Sequence, residues 1–257
     1  MKKFVFTLTM FAFSLSVQGQ VTQLPKGFTS GKTVWFLRAG VSLNGVSGDG
    51  VDAVEEIWKK NKWDGSYGRS LGGSLSIGFN KSFSKSPLYW GMEFGVGIRG
   101  YKNSADWYAL VTSSLKGGGG MEHTKKQEQT LNAINALFSP INIGYKYAFS
   151  NRMAVDIHVG GFASYDFIGK LKTENYDHVY INSKAGYTNK ITNDDSSIDI
   201  SDLDGYTNHD FGVIGGIGFW FGRFNIDFCY QRGFVSLFEG DDSFFCDKLQ
   251  ARLGYAF

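Results

Sequence analysis

Leu249–Phe257 reads LQARLGYAF. Leu249, Ala251, Leu253, Tyr255 and Phe257 alternate with Gln250, Arg252, Gly254 and Ala256. A period of two is that of a β-strand with one apolar face and one small or polar face. The last residues of a soluble domain are usually loose and hydrophilic. A strand that runs to an aromatic final residue expects apolar surroundings at its very end.

The same period recurs upstream. Segment 33–43 sets Trp35, Leu37, Ala39, Val41 and Leu43 against Phe36, Arg38, Gly40 and Ser42. Segment 70–80 sets Leu71, Leu75, Ile77 and Phe79 against serines and glycines, and 88–100 sets Leu88, Trp90, Met92, Phe94, Val96 and Ile98 against Tyr89, Gly91, Glu93, Gly95, Gly97 and Arg99. Further strands are expected at about 131–148, 153–168, 210–221, 223–232 and 244–257. Pro140 lies within the first of these, on its polar side, and predicts a bulge because proline cannot donate to a ladder. The connections alternate: long (44–69), short (81–87), long (102–128), short (150–152), longest (169–209), tight at Gly222–Arg223, then moderate (233–243). Long loops alternating with short turns around an even number of strands describe an outer-membrane barrel, all-β, antiparallel and up-and-down, of about eight strands.

Alternation alone fits a soluble barrel as well as a membrane one, because the two differ only in which face looks inward. Side-chain size decides. The polar face carries glycine at 72, 78, 91, 95, 97, 144, 160, 212, 216 and 218, which suits a crowded lumen and makes a poor solvent coat. The apolar face carries Trp, Phe, Leu and Tyr, too bulky for an eight-stranded interior. Aromatics gather near strand ends (Trp35, Trp90, Tyr145, Tyr147, Phe219, Phe221, Tyr255, Phe257), as in a girdle at the bilayer interface.

Composition agrees. The 257 residues are 42% hydrophobic and 16% aromatic, with 34 Gly and 3 Pro, far from the Ala/Leu/Glu/Lys bias of helical proteins. Residues 1–19 have a signal peptide's plan: Lys2 and Lys3, an apolar stretch from Phe4 to Val17, and a cut expected at Gly19/Gln20. Losing Lys2 and Lys3 takes the formal charge from +2 to zero, which argues against a nucleic-acid partner. The domain plan is a signal peptide (1–19), a periplasmic segment (20–32) and a barrel (33–257). No later apolar run is long enough for a transmembrane helix, so any membrane crossing is by strands.

This pattern resembles the small outer-membrane β-barrel proteins of Gram-negative bacteria, of the PorT-like and OmpX/OmpA-barrel kind, over about 33–257. The resemblance rests on the export signal, the strand rhythm and the terminal RLGYAF; SPINIGYKY (139–147) is similar to the Pro-containing strand of PorT-like barrels. It implies that Leu253, Tyr255 and Phe257 form the signal read by the barrel-assembly machinery. Outer-membrane lipids would surround a monomer.

The inward face should carry Arg38, Glu93, Arg99, Lys146, Asp156, His158, Asp166, Asp227, Lys248 and Arg252. Charges in a narrow lumen must pair or hold water. Hairpin geometry sets Lys146 opposite or diagonal to Asp156. A last hairpin centred near Leu237 and Phe238 would set Asp227 opposite Lys248 and Cys229 beside Cys246. The cysteines would then form a cross-strand disulfide in an oxidising compartment, or remain two free thiols a register step apart. The charges form either a rigid plug, the favoured reading, or a selectivity element or proton path. An enzyme would need a nucleophile or acid beside His158; Asp156 and Asp166 merely share its strand face, and the outer face shows no Ser/His/acid spacing, so no catalytic residue is assigned. His123, His178 and His209 read as solvated. Asp199, Asp202 and Asp204 before Gly205 fail the EF-hand spacing; no metal or cofactor is expected. Residues 51–63 have Val54, Ile57 and Trp58 at helical spacing, suggesting a short amphipathic helix on the rim. The leading expectation is a non-enzymatic surface, adhesion or secretion-assembly protein that meets an extracellular or envelope protein through its loops. The alternatives are a narrow channel or small-solute binder, and a lipid-acting barrel enzyme.

Overall fold

The structure is a computed structural model and describes residues 24, 25, 28, 31–84, 86–111, 120–183, 186–240 and 242–257. The signal peptide and most of the GGGG stretch (117–120) lie outside these. Eight strands pair antiparallel in a closed ring: β1 (Thr33–Ser47), β3 (Ser70–Ser82), β4 (Leu88–Val111), β5 (Gly120–Ala148), β6 (Met153–Ser183), β8 (His209–Phe221), β9 (Phe224–Ser236) and β10 (Phe245–Ala256). Each pairs with the next in that order, and β10 returns to β1 with Leu43 opposite Leu249 and Phe36 opposite Ala256. The pairing leaves no open edge around the ring, so the architecture is an antiparallel barrel.

The expected parity places the faces. In β10 and the Phe257 that follows it, Leu249, Leu253, Tyr255 and Phe257 are exposed and Gln250, Arg252 and Gly254 are buried. In β4 the outward row runs from Leu88 to Ile98 while Tyr89, Glu93 and Arg99 are buried. Those eleven residues match the span of a tilted strand crossing a bilayer core. At the short-turn end the exterior carries linked aromatics: Trp35, Phe79 and Trp90 in a chain with centroids 5.3 Å apart, Tyr147 with Phe149 at 5.1 Å, and Phe224 with Tyr255 at 5.4 Å.

Pro140 breaks the ladder as its chemistry requires: the register shifts between Phe138 and Ile141 against β6, and between Gly91 and Glu93 against β4. The bulge also turns Pro140 outward, where it is exposed, rather than to the polar face that simple parity gives it. Ser139 is left facing in, and its Oγ donates to the Gly161 carbonyl oxygen at 2.7 Å.

The segments expected as long loops are largely structured. Residues 44–69 hold a helix, α1 (Asp49–Lys60), and a strand, β2 (Trp63–Gly68). β4 continues to Val111, β5 begins at Gly120 and β6 runs on to Ser183, from where β7 (Gly186–Asp199) folds back onto it. With β2 on β4, these make a five-stranded sheet, β2-β4-β5-β6-β7, that rises from one side of the ring. Charge pairing holds its outer face: Lys102 and Lys126 meet Glu128 at 3.0 and 2.8 Å. Hydrogen bonds from Lys126 and then Lys102 hold the Glu128 carboxyl below its ordinary range.

Candidate functional site

The barrel interior is built in layers. At the short-turn end Phe28, Val34, Phe36, Ala154, Trp220 and Ala256 form an apolar layer joined by Leu24. Leu24 and Phe28 come from the segment ahead of β1. The Leu24 amide donates to the Asn151 carbonyl oxygen at 2.8 Å, Ser82 Oγ donates to the Phe28 carbonyl oxygen at 2.9 Å, and Phe28 meets the Trp220 ring edge-on at 5.1 Å. This segment ahead of β1 therefore contributes a ring to the barrel's own core.

Above this layer sit Lys146 and Asp156. They are directly opposed in register, yet no ion pair joins them. Lys146 Nζ is ringed by Phe28 (4.4 Å to the centroid), Tyr89 (4.3 Å) and Trp220 (5.9 Å), and among the described residues it makes no hydrogen bond. A desolvated ammonium gains from aromatic faces at such distances. Asp156 is 0% exposed and takes other donors: Tyr89 Oη at 2.9 Å and Trp220 Nε1 at 2.5 Å, with His158 Nδ1 3.0 Å away. Gly144 makes room for this cluster, since a Cβ there would lie 2.5 Å from the Tyr89 ring.

The central layer joins five strands, β1, β3, β4, β9 and β10. Glu93 accepts from Arg38 Nη1 at 2.9 Å, from Arg252 Nη1 at 2.5 Å and from Ser76 Oγ at 2.7 Å. Arg252 also donates to Asp227 through Nε (2.8 Å) and Nη2 (2.5 Å), and Arg38 Nε donates to Asn225 Oδ1 at 3.1 Å. His158 bridges the layers, with Nε2 3.7 Å from Asp227. Higher up, Arg99 meets Asp166 at 2.5 Å and Asp210 at 3.4 Å, and Tyr206 Oη donates to Asp166. An apolar layer closes the long-loop end: Val46, Val51 of α1, Tyr101, Leu131, Ala133, Ile200, Leu237 and Cys246. Ile200, between Asp199 and Asp202, is thus a cap residue.

Two expectations about the last hairpin are corrected. The β9–β10 register puts Asp227 opposite Arg252 and Lys248 opposite Gln231, so Asp227 pairs with Arg252 and not with Lys248. Cys229 faces Gln250 and Cys246 faces Val46; both are buried free thiols, not a disulfide. The hairpin is offset by four residues because its connection turns inward. The Leu237 amide donates to Phe244 at 2.8 Å, Tyr206 bridges to Phe238, and a bulge separates Phe245 from Asp247. Apolar Leu237, Phe238 and Phe244 fold onto the cap rather than continuing the strands. His123 and His178 are not simply solvated either: His123 Nε2 lies 2.6 Å from Asp177 Oδ1 and His178 Nε2 lies 2.7 Å from Asn189 Oδ1.

Several contributors are absent from the sequence expectation: Asn225, Trp220, Asp210, Ser76 and Phe28. Parity alone places the first four inward, but it cannot say that they meet across the lumen. Leu253, Tyr255 and Phe257 stand outward at the short-turn end. Between the two apolar caps the cavities around Arg38/Glu93/His158, Ser76/Lys248/Arg252 and Asn44/Arg99/Asp247 each measure about 10 Å³, room for a single water at most. Three cations (Arg38, Lys146, Arg252) face three carboxylates (Glu93, Asp156, Asp227) in the lower half. Above them Arg99 and Lys248 are buried among Asp166, Asp210 and Asp247.

No family model matches the chain, and no curated protein matches it. Among solved structures it is similar to Ail, the attachment invasion locus protein of Yersinia pestis, in complex with the heparin analogue sucrose octasulfate: 12% identity over 88% of this chain and 99% of that one, TM-score 0.33. Neisserial surface protein A aligns at 11% identity over 87% and 97%, TM-score 0.34. The β domain of the Bordetella autotransporter BrkA aligns at 11% over 88% and 99%, TM-score 0.25. The closed ring of strand pairs carries the fold assignment without them.

Proposed function

We propose that this chain is a non-enzymatic, monomeric outer-membrane β-barrel protein that passes no solute and works through the sheet it holds outside the membrane. The sealed interior is the observation that supports this most strongly. Between two apolar caps the ion network leaves cavities of about 10 Å³ around its charges, so a narrow channel is the weaker reading. The apolar exterior, about one bilayer core in height, supports insertion, and only lipid satisfies such a surface. Short turns then face the periplasm, as does the 20–32 segment, and the five-stranded sheet faces out. In this reading export uses the signal peptide cut at Gly19/Gln20, Leu253, Tyr255 and Phe257 are offered to the assembly machinery, and the PorT-like kinship rests on 139–147 and the terminal strand.

Cell fractionation tests the reading. Expressed in a Gram-negative host, the chain should enter the outer-membrane fraction, need detergent for release and migrate differently before and after boiling. External protease should cut the sheet and spare the ring. Recovery as a soluble protein without detergent would refute the assignment.

A further inference from the structure

The protruding sheet has two distinct faces, separated by the register, because directly opposed residues in antiparallel strands share a face. One row runs Trp63, Trp107, Lys125, Asp177, Thr192 across β2, β4, β5, β6 and β7, and the next runs Gly65, Ala105, Gln127, Asn175, Asp194. Two rows further toward the ring on the same face stand Tyr101, Leu131 and Leu171, which belong to the cap layer. This face is therefore the outward continuation of the barrel's inner wall.

Helix α1 covers its lower part. Trp58 stacks on Tyr67 at 5.6 Å and lies so close over Gly65 that a Cβ there would be 2.3 Å from the indole. Above Trp58 the face opens into a hollow of about 330 Å³ lined by Trp63, Lys125, Gln127, Asn175, Asp177 and Asp194, among others. Its polar groups are already held in place. Gln127 Nε2 donates to Asn175 Oδ1 at 3.0 Å, Asp177 is held 2.6 Å from His123 Nε2, and Lys125 Nζ lies 3.9 Å from its second oxygen. Each amide keeps further donor and acceptor capacity, and each carboxylate further lone pairs.

Planar amides and a carboxylate fixed beside an indole suit one ligand chemistry best. A sugar ring offers adjacent hydroxyls that both donate and accept, and a C–H face that packs on an aromatic plane. Lys125 and Lys126 against Asp177 and Asp194 leave the lining without net charge, so it offers no cationic cluster to a polyanion, and its volume falls in the range of small-ligand sites. We propose that this hollow binds neutral carbohydrate, a short stretch of oligosaccharide presented outside the cell. The proposal rests on the surface-protein reading and names the ligand class of that surface.

Purified barrel in detergent, labelled and applied to an array of neutral oligosaccharides, tests it, with hits followed by titration of tryptophan fluorescence. Saturable binding is expected. Trp63→Ala should weaken it by about tenfold or more, the equivalent of about 1.4 kcal/mol, while Asp195→Asn, on the opposite face, should leave it unchanged. Mobility before and after boiling reports folding of every variant. Should Trp63→Ala fail that check, Asn175→Ala carries the comparison. The proposal is overturned if folded wild-type protein binds no neutral glycan, if the folded variant binds as tightly as wild type, or if binding is confined to sulfated glycans and lost in salt. Because the membrane assignment is tested separately by fractionation, a folded outer-membrane protein that ignores sugars would refute this inference alone.

Discussion

Replacing Arg252 by Met removes the cation that two buried carboxylates share. Glu93 would keep Arg38 at 2.9 Å and Ser76 at 2.7 Å. Asp227, 0% exposed, would keep only His158 at 3.7 Å. Removing one partner of a buried pair costs about 3–5 kcal/mol, because the remaining charge is left without compensation. The cost should therefore come mainly from Asp227. Adding Asp227→Asn to Arg252→Met should bring the loss down to about 1–3 kcal/mol, the cost of an unsatisfied neutral polar group. Adding Glu93→Gln instead should recover little. Equilibrium unfolding in guanidinium, followed by tryptophan fluorescence in detergent or lipid, measures all three. A loss under about 1 kcal/mol for Arg252→Met, the range of an exposed pair, would mean that water enters the lumen and would refute the packed plug.

Three further outcomes are expected. Phe94→Arg, at mid-height on the exterior, should cost about 2–4 kcal/mol in a bilayer and Ile98→Arg, nearer its edge, about 0–1; equal costs on refolding into vesicles would contradict the membrane-facing surface. Phe28→Ala should cost about 3–5 kcal/mol, as for other buried Phe truncations, if the segment ahead of β1 is part of the core; an unchanged melting temperature would show that it is not. Mass measurement without reductant should find Cys229 and Cys246 both reduced, and maleimide should label them only after unfolding; a mass lower by two hydrogen atoms would contradict the β9–β10 register.

Parity made the ring legible. Each strand alternates bulky with small residues, and an interior of this width admits only one of the two sets, so Arg38, Glu93, Asp156 and Arg252 could be placed inward from sequence. Pro140 similarly announced its bulge, though the side to which the bulge turns it depends on the neighbouring strands. Partner choice across the lumen was not legible, because it depends on shear and register. The last hairpin shows this: a four-residue offset, set by Leu237, Phe238 and Phe244 folding inward, exchanges Lys248 for Arg252 opposite Asp227 and separates the two cysteines. The hairpin turn sets Lys146 opposite or diagonal to Asp156, but the rings of Phe28, Tyr89 and Trp220 come from three distant segments and redirect both. The exterior sheet was hidden for another reason. β5 above Leu131 and β6 above Leu171 carry polar side chains on both faces, so no apolar period marks them as strands.

Planar-bilayer recording tests the sealed interior most directly. Purified protein inserted into the membrane, its insertion verified by mobility before and after boiling, should leave the current at the level of protein-free lipid at both polarities. Reproducible step-like conductances that scale with the amount of inserted protein would contradict the account.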